Sequence, residues 1–88
     1  MKKVHTNRSL TIIKTKSGNI QIYSPGKSRL YNLNESASFI FRQLLRNTKE
    51  KDILKYLNQK FDLPIKQVKK DYIEFVKFLK KRGLVFQD

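Results

Sequence analysis

The sequence has no cysteine, one histidine, three glycines and two prolines. Without cysteine there is no disulfide framework, no thiolate nucleophile and no cysteine-ligated zinc, so hydrophobic packing alone must hold the fold. The single histidine, His5, stands in the N-terminal segment and is expected to be inert. Acids are scarce too, seven Asp and Glu against twenty Lys and Arg. General acid–base, nucleophilic and metal-assisted hydrolytic chemistry need clustered groups of suitable pKa. No such cluster is visible, so the chain is expected not to be an enzyme, with no catalytic residue, no metal and no cofactor. The turns Ser17-Gly18-Asn19 and Ser24-Pro25-Gly26 hold one glycine each, too few for a phosphate cradle. No apolar run approaches the length of about 18 residues that spans a bilayer. The start Met1-Lys2-Lys3-Val4-His5 turns polar before a signal region can form. A cytoplasmic protein with no membrane partner is the expectation.

What is present is one domain's worth of chain. Its 88 residues suffice to bury roughly 60 % of the unfolded surface. An apolar fraction of 39 %, with six Phe and four Tyr, is too high for a disordered chain. A single domain over 1–88 is expected, its core running from about residue 10 to residue 86. The formal net charge is +13, part of which can reflect codon bias rather than a partner. Its distribution is uneven. Residues 1–34 carry Lys2, Lys3, Arg8, Lys14, Lys16, Lys27 and Arg29 and no acid; residues 63–83 carry seven bases against Asp71 and Glu74; residues 35–62 carry six against four. The positive field at the two ends of the chain favours an acidic peptide or a polyanion by raising its encounter rate.

The first third reads as strands. Leu10-Thr11-Ile12-Ile13 is apolar and β-branched, Ser17-Gly18-Asn19 is turn chemistry, and Ile20-Gln21-Ile22-Tyr23 alternates with period two, which makes a hairpin. Ser24-Pro25-Gly26-Lys27-Ser28 is a second turn, with Pro fixing φ and Gly26 free to take positive φ. Arg29-Leu30-Tyr31-Asn32-Leu33 follows as a third strand. Its charge, and the absence of any later strand to pair with it, place it at a sheet edge. From Asn34 the period becomes 3.6. Asn34 caps a helix with apolar face Ala37, Ile40, Phe41, Leu44 and Leu45 and with Glu35 in its first turn. A second helix shows Ile53, Leu54, Leu57 and Phe61. Asp62-Leu63-Pro64 breaks it, and Pro64 suits the first turn of a third helix with stripe Ile65, Val68, Tyr72, Phe75, Val76 and Leu79. Lys80-Lys81-Arg82 suits that helix's C-terminal dipole, Gly83 its left-handed stop, and Leu84-Val85-Phe86 packs as a short tail.

Three antiparallel strands followed by three helices is the order of an α+β, winged helix-turn-helix-like domain. Within it, Leu33-Asn34 at the strand-to-helix junction, Asp52-Ile53 and Leu57, then Val68, Asp71, Tyr72, Phe75 and Leu79, and finally Gly83-Leu84 resemble the pattern of PqqD-like proteins. That family is the stand-alone form of the RiPP recognition element, the leader-binding domain of lasso-peptide, sactipeptide and pyrroloquinoline quinone pathways. The resemblance extends from about Leu10 to Leu84, and it is the order and spacing of short matches that carry it.

The resemblance implies that the leader of a ribosomally made precursor peptide joins the third strand as an added strand, beside the third helix. By position, the peptide-binding residues are then Arg29, Leu30, Tyr31, Asn32 and Leu33 of the strand and Val68, Asp71, Tyr72, Phe75 and Phe78 of the helix. Strand addition is physically reasonable, since an open edge supplies backbone hydrogen bonds and pockets for alternate side chains supply selectivity. The implied partners are the leader and a processing enzyme, a cysteine protease in the preferred lasso-peptide pathway or another modifying enzyme. Val68, Tyr72, Phe75, Val76 and Leu79 are also what a plain core face would be. Asp71 and Phe78 lie on one flank of that face, Ile73 with Lys69 and Lys80 on the other, and the sequence leaves open which flank meets the peptide. Asp71 either holds a basic leader residue or pairs with a nearby Lys or Arg.

The competing partner is nucleic acid. Lys66, Lys69, Lys70, Lys77, Lys80, Lys81 and Arg82 would give a small winged-helix DNA binder its electrostatic footprint. Against it, lysine is a point charge suited to phosphates, Gln67 alone suits base edges, and Asp71 and Glu74 would repel the backbone.

Overall fold

A computed structural model describes residues 4–7 and 9–87. Met1, Lys2, Lys3 and Arg8, which belong to the basic N-terminal segment, lie outside the described residues. The elements in order are β1 (Val4–Thr6), β2 (Thr11–Lys14), β3 (Ile20–Ser24), a 3-10 turn (Pro25–Lys27), β4 (Arg29–Asn32), α1 (Glu35–Leu45), α2 (Glu50–Phe61), α3 (Ile65–Lys81) and β5 (Val85–Gln87). The α+β architecture follows the sequence reading, a three-stranded antiparallel sheet in the order β2-β3-β4 leading into three helices.

The hairpin closes as its turn residues dictate. Thr15 N–H donates to Asn19 C=O at 2.9 Å and Gly18 N–H to Thr15 C=O at 3.0 Å. Gly18 sits at φ 89°, a conformation that leaves an L side chain strained and glycine at ease. At the second turn Pro25 opens a 3-10 turn that carries Gly26 and Lys27 with it, so the positive φ falls on the exit residue Ser28 at 50° and not on Gly26.

The helices are punctuated by side chains and by Schellman closures. Asn34 Oδ1 accepts from Ala37 N–H at 2.9 Å, satisfying one of the orphan donors of α1. At its other end Asn47 takes φ 59°, while Asn47 N–H bonds Leu44 C=O and Thr48 N–H bonds Gln43 C=O, both at 3.0 Å. Gly83 does the same for α3 at φ 72°, with Gly83 N–H on Lys80 C=O at 3.0 Å and Leu84 N–H on Leu79 C=O at 2.9 Å. Pro64 stands at the cap position of α3, one residue before the helix proper.

The core joins Ile20 and Ile22 of β3 to Ile40, Phe41 and Leu44 of α1, Ile53 and Leu57 of α2, Val68, Tyr72, Val76 and Leu79 of α3, and Leu84 and Val85 behind it. Two expected stripe residues stay outside it, Leu45 at the last position of α1 and Ile65 at the first of α3. Both stand at a helix terminus, and both are exposed.

Two features were not anticipated. First, β1 pairs antiparallel with β5, His5 opposite Phe86. The segment expected to be an uninvolved N-terminus and the expected tail therefore form a ribbon, and Asn7 N–H extends it to Leu84 C=O at 2.9 Å. Second, Ser38 is wholly buried on the core side of α1. Its hydroxyl accepts from Ile20 N–H at 2.9 Å and donates to Leu33 C=O at 3.3 Å, inserting itself where the β3–β4 ladder would otherwise close directly.

Candidate functional site

The site begins with hydrogen-bond parity. Leu33 N–H donates to Ile20 C=O at 2.9 Å, and the register places Tyr31 opposite Ile22 and Leu30 opposite Tyr23. In an antiparallel ladder bonded and non-bonded pairs alternate, so Arg29, Tyr31 and Leu33 turn their backbone groups toward β3. Leu30 and Asn32 turn theirs outward, to an edge that no other strand occupies among the described residues. The strand is the edge strand that the sequence indicated.

The same parity sorts side chains. Tyr31 shares the core-facing side of the sheet with Ile22 and is half-buried, whereas Leu30, 50 % exposed, points to the opposite face. The Tyr31 ring reaches α3 and meets Phe78 edge to face, with centroids 6.0 Å apart and planes at 84°. Phe75, one turn earlier, stacks on Phe78 at 6.4 Å and 14°. Arg82, one turn later, lays its guanidinium over the other end of the row, 5.3 Å from the Phe78 centroid. The open edge of β4 thus runs beside a continuous aromatic wall of Tyr31, Phe78 and Phe75. Of the two flanks of α3, the one bearing Phe78 meets the edge strand through Tyr31, and Ile73 is not part of that wall.

Charged residues stand before and after the aromatic row along α3. Asp71 lies seven residues before Phe78, about 10 Å along the helix axis. It accepts neither a lysine nor an arginine there, but the amide of Gln67, one turn back, at 2.8 Å. At the opposite end Lys27 donates from Nζ to the carbonyl of Arg82 at 2.7 Å. That bond ties the turn before β4 to the C-terminus of α3, where the helix dipole favours a cation. Arg82 supplies the carbonyl of this clasp, and Arg29 follows Lys27 by two residues at the start of β4.

Three of the expected contact residues are not on the surface of the groove. Leu33 is 7 % exposed, Val68 1 % and Tyr72 5 %; all three face the core and hold the groove from beneath. The Tyr72 phenol is pushed above its ordinary pKa of 10.0, first by burial and then by the nearby Glu50 carboxylate. Arg29, Leu30, Tyr31 and Asn32 lie on the edge strand, and Asp71, Phe75 and Phe78 lie on one side of α3. Sequence reasoning passed over the Lys27 clasp and read Arg82 as a dipole partner and as part of a nucleic-acid footprint, although its spacing of four from Phe78 is the separation that stacks neighbours on a helix. The Tyr31 hydroxyl is buried and has no hydrogen-bond partner. Among the described residues, no group of three or more His, Asp or Glu could hold a metal ion and no helix is long and apolar enough to cross a membrane.

Comparison with known proteins returns three findings. A family model described as coenzyme PQQ synthesis protein D (PqqD) matches residues 20–85, a span that includes β3, β4 and all three helices. Among solved structures, the chain is similar to a lasso peptide synthetase B1 complexed with the leader peptide, with TM-score 0.87, 18 % identity and coverage of 96 % of this chain and 98 % of that one. It is also similar to TbiB1 in complex with the TbiA(beta) leader peptide, with TM-score 0.85, 12 % identity and coverage of 92 % and 93 %. At these identities the likeness is one of fold. No curated protein sequence matches the chain.

Proposed function

The chain belongs to the PqqD family, and on that premise we propose that it binds the leader region of a ribosomally synthesised precursor peptide. The leader adds as a strand to the outer edge of β4 and is presented to a processing enzyme; the chain itself performs no chemistry. The observation that carries this reading is the juxtaposition of an unpaired strand edge with the Tyr31–Phe78–Phe75 wall. The outward N–H and C=O groups of Leu30 and Asn32 grip any extended peptide, and the wall selects for an apolar side chain pointing toward α3. Arg29 and Arg82 favour a leader that is acidic at their end, and Asp71 a cationic or hydrogen-bonding residue at the other. Both similar complexes hold leader peptides, and one is a lasso peptide synthetase B1, which supports a lasso-peptide precursor as the preferred ligand; the enzyme that receives it in this reading is a cysteine protease.

The test is a titration with a fluorescent leader peptide encoded beside the gene, run against random duplex DNA at about 50 and 200 mM salt, where phosphate binding weakens steeply. Saturable leader binding that survives the higher salt supports the reading. Tight DNA binding with no response to the leader overturns it.

A further inference from the structure

A second concave surface lies away from the groove, where α1, α2 and the β2–β3 turn meet. Two adjoining shallow hollows open to solvent, of about 390 and 440 Å³, share Phe39 and Lys60 as a common wall. None of their lining residues belongs to β4 or α3, so this surface and the leader groove can be occupied together. One cavity is walled by Phe39, Tyr56 and the stems of Gln43 and Gln59. The other is walled by Arg42, Lys60 and the turn at Gly18, with Glu35 at its side.

The wall between them is fixed in advance. Phe39 meets Phe61 edge to face at 6.1 Å and 80°, and the Lys60 ammonium lies 5.7 Å from the Phe39 centroid and 5.9 Å from that of Phe61. Arg42 is held by a hydrogen bond from Nη2 to the Gly18 carbonyl. Its Nε–H is buried without an acceptor, and the residue lines the second hollow. Tyr56 stands 43 % exposed beside it. Two cations against one carboxylate, set next to an aromatic wall, match a carboxylate and an apolar side chain offered together, and the net charge of +13 favours an acidic surface as their source.

We propose that this face docks the processing enzyme, through a segment of the enzyme that places an Asp or Glu against Arg42 and Lys60 and an adjacent apolar side chain against Phe39 and Tyr56. The inference rests on the reading that the chain hands its leader to an enzyme. It adds where that enzyme sits: on the α1–α2 face, leaving the β4 edge free for the peptide.

The experiment measures two affinities for Lys60→Glu and Tyr56→Ala, both at exposed positions, with circular dichroism confirming the fold. One titration uses the fluorescent leader, the other the purified processing enzyme encoded beside the gene. The expected result is enzyme binding weakened by about tenfold or more, with stronger salt dependence in the wild type than in Lys60→Glu, and leader affinity unchanged. Enzyme binding equal to wild type in both variants overturns the docking surface, as does a wild-type chain that binds the leader and does not bind the enzyme. Failure to bind the leader at all is read separately from the first titration and counts against the leader-binding reading itself.

Discussion

Tyr31 of the edge strand and Phe78 of α3 meet edge to face at 6.0 Å, while the Tyr31 hydroxyl is buried with no partner. An edge-to-face pair contributes about 0.5–1.5 kcal/mol beyond its burial, and a buried hydroxyl left unsatisfied costs about 1–3 kcal/mol. The two are comparable and opposite, so the contact places the ring rather than stabilising the domain.

Tyr31→Phe therefore removes the cost and keeps the ring. Urea unfolding should show stability unchanged or raised by about 1 kcal/mol. A loss beyond about 1 kcal/mol would mean that the hydroxyl has a partner after all.

Phe78→Ala removes the centre of the wall from a position already 37 % exposed. Leader affinity should fall by about tenfold or more, as expected for an aromatic anchor. The unfolding midpoint should move less than it does for a buried position such as Leu79→Ala, where about 2–5 kcal/mol is at stake. Isothermal titration and urea unfolding of the two variants check the contrast.

Much of the scaffold could be read from the residues. The hairpin followed from Gly18 between a β-branched run and an alternating one, the start of α1 from Asn34, and the end of α3 from Gly83, because each is a local choice of backbone or cap. What escaped was non-local. The β1–β5 ribbon joins three-residue strands from opposite ends of the chain, too short for a period to show. Ser38 reads as a polar residue on a helix until the strand junction it bridges is in view. The groove flank of α3 could not be chosen either, since periodicity defines a stripe and its two margins but not which margin faces the sheet. Leu33, Val68 and Tyr72 were placed in the site by resemblance, which supplies positions along the chain and not the direction of a side chain.

Proline discriminates the two sides of β4. Leu30 turns its N–H outward, so Leu30→Pro leaves the β3 ladder intact and deletes one donor for the leader; Tyr31→Pro removes a ladder bond to β3. Leu30→Pro should fold with near-native circular dichroism and bind the leader more weakly. Tyr31→Pro should lose about 1–3 kcal/mol of stability through the Ile22 carbonyl left unpaired.

Ser38→Ala takes both partners from a buried junction, the Ile20 N–H and the Leu33 C=O. With about 1–3 kcal/mol for each orphaned group, the loss should reach about 2–4 kcal/mol in urea unfolding. A cost below about 1 kcal/mol would show that the two groups close on each other directly.

Alkaline pH should destabilise the fold through Tyr72. Its folded pKa is raised above 10.0 by burial and then by Glu50, so the folded state holds the phenolic proton more tightly than the unfolded chain. The contribution is complete below about pH 10 and is lost as pH rises through the raised folded value. Tyr72→Phe, which cannot ionise, should decline less in unfolding free energy above pH 10 than the wild type. Identical alkaline limbs would contradict this assignment.

Strand addition at β4 is tested most directly by residue-resolved amide hydrogen exchange with and without the leader peptide. Tyr31 and Leu33 already direct their N–H groups to β3, so their exchange should change little, whereas the outward amides of Leu30 and Asn32 should slow markedly on binding. Protection at the outward amides Ile12 and Lys14 of the opposite edge, or binding with no change at Leu30 and Asn32, would contradict the account.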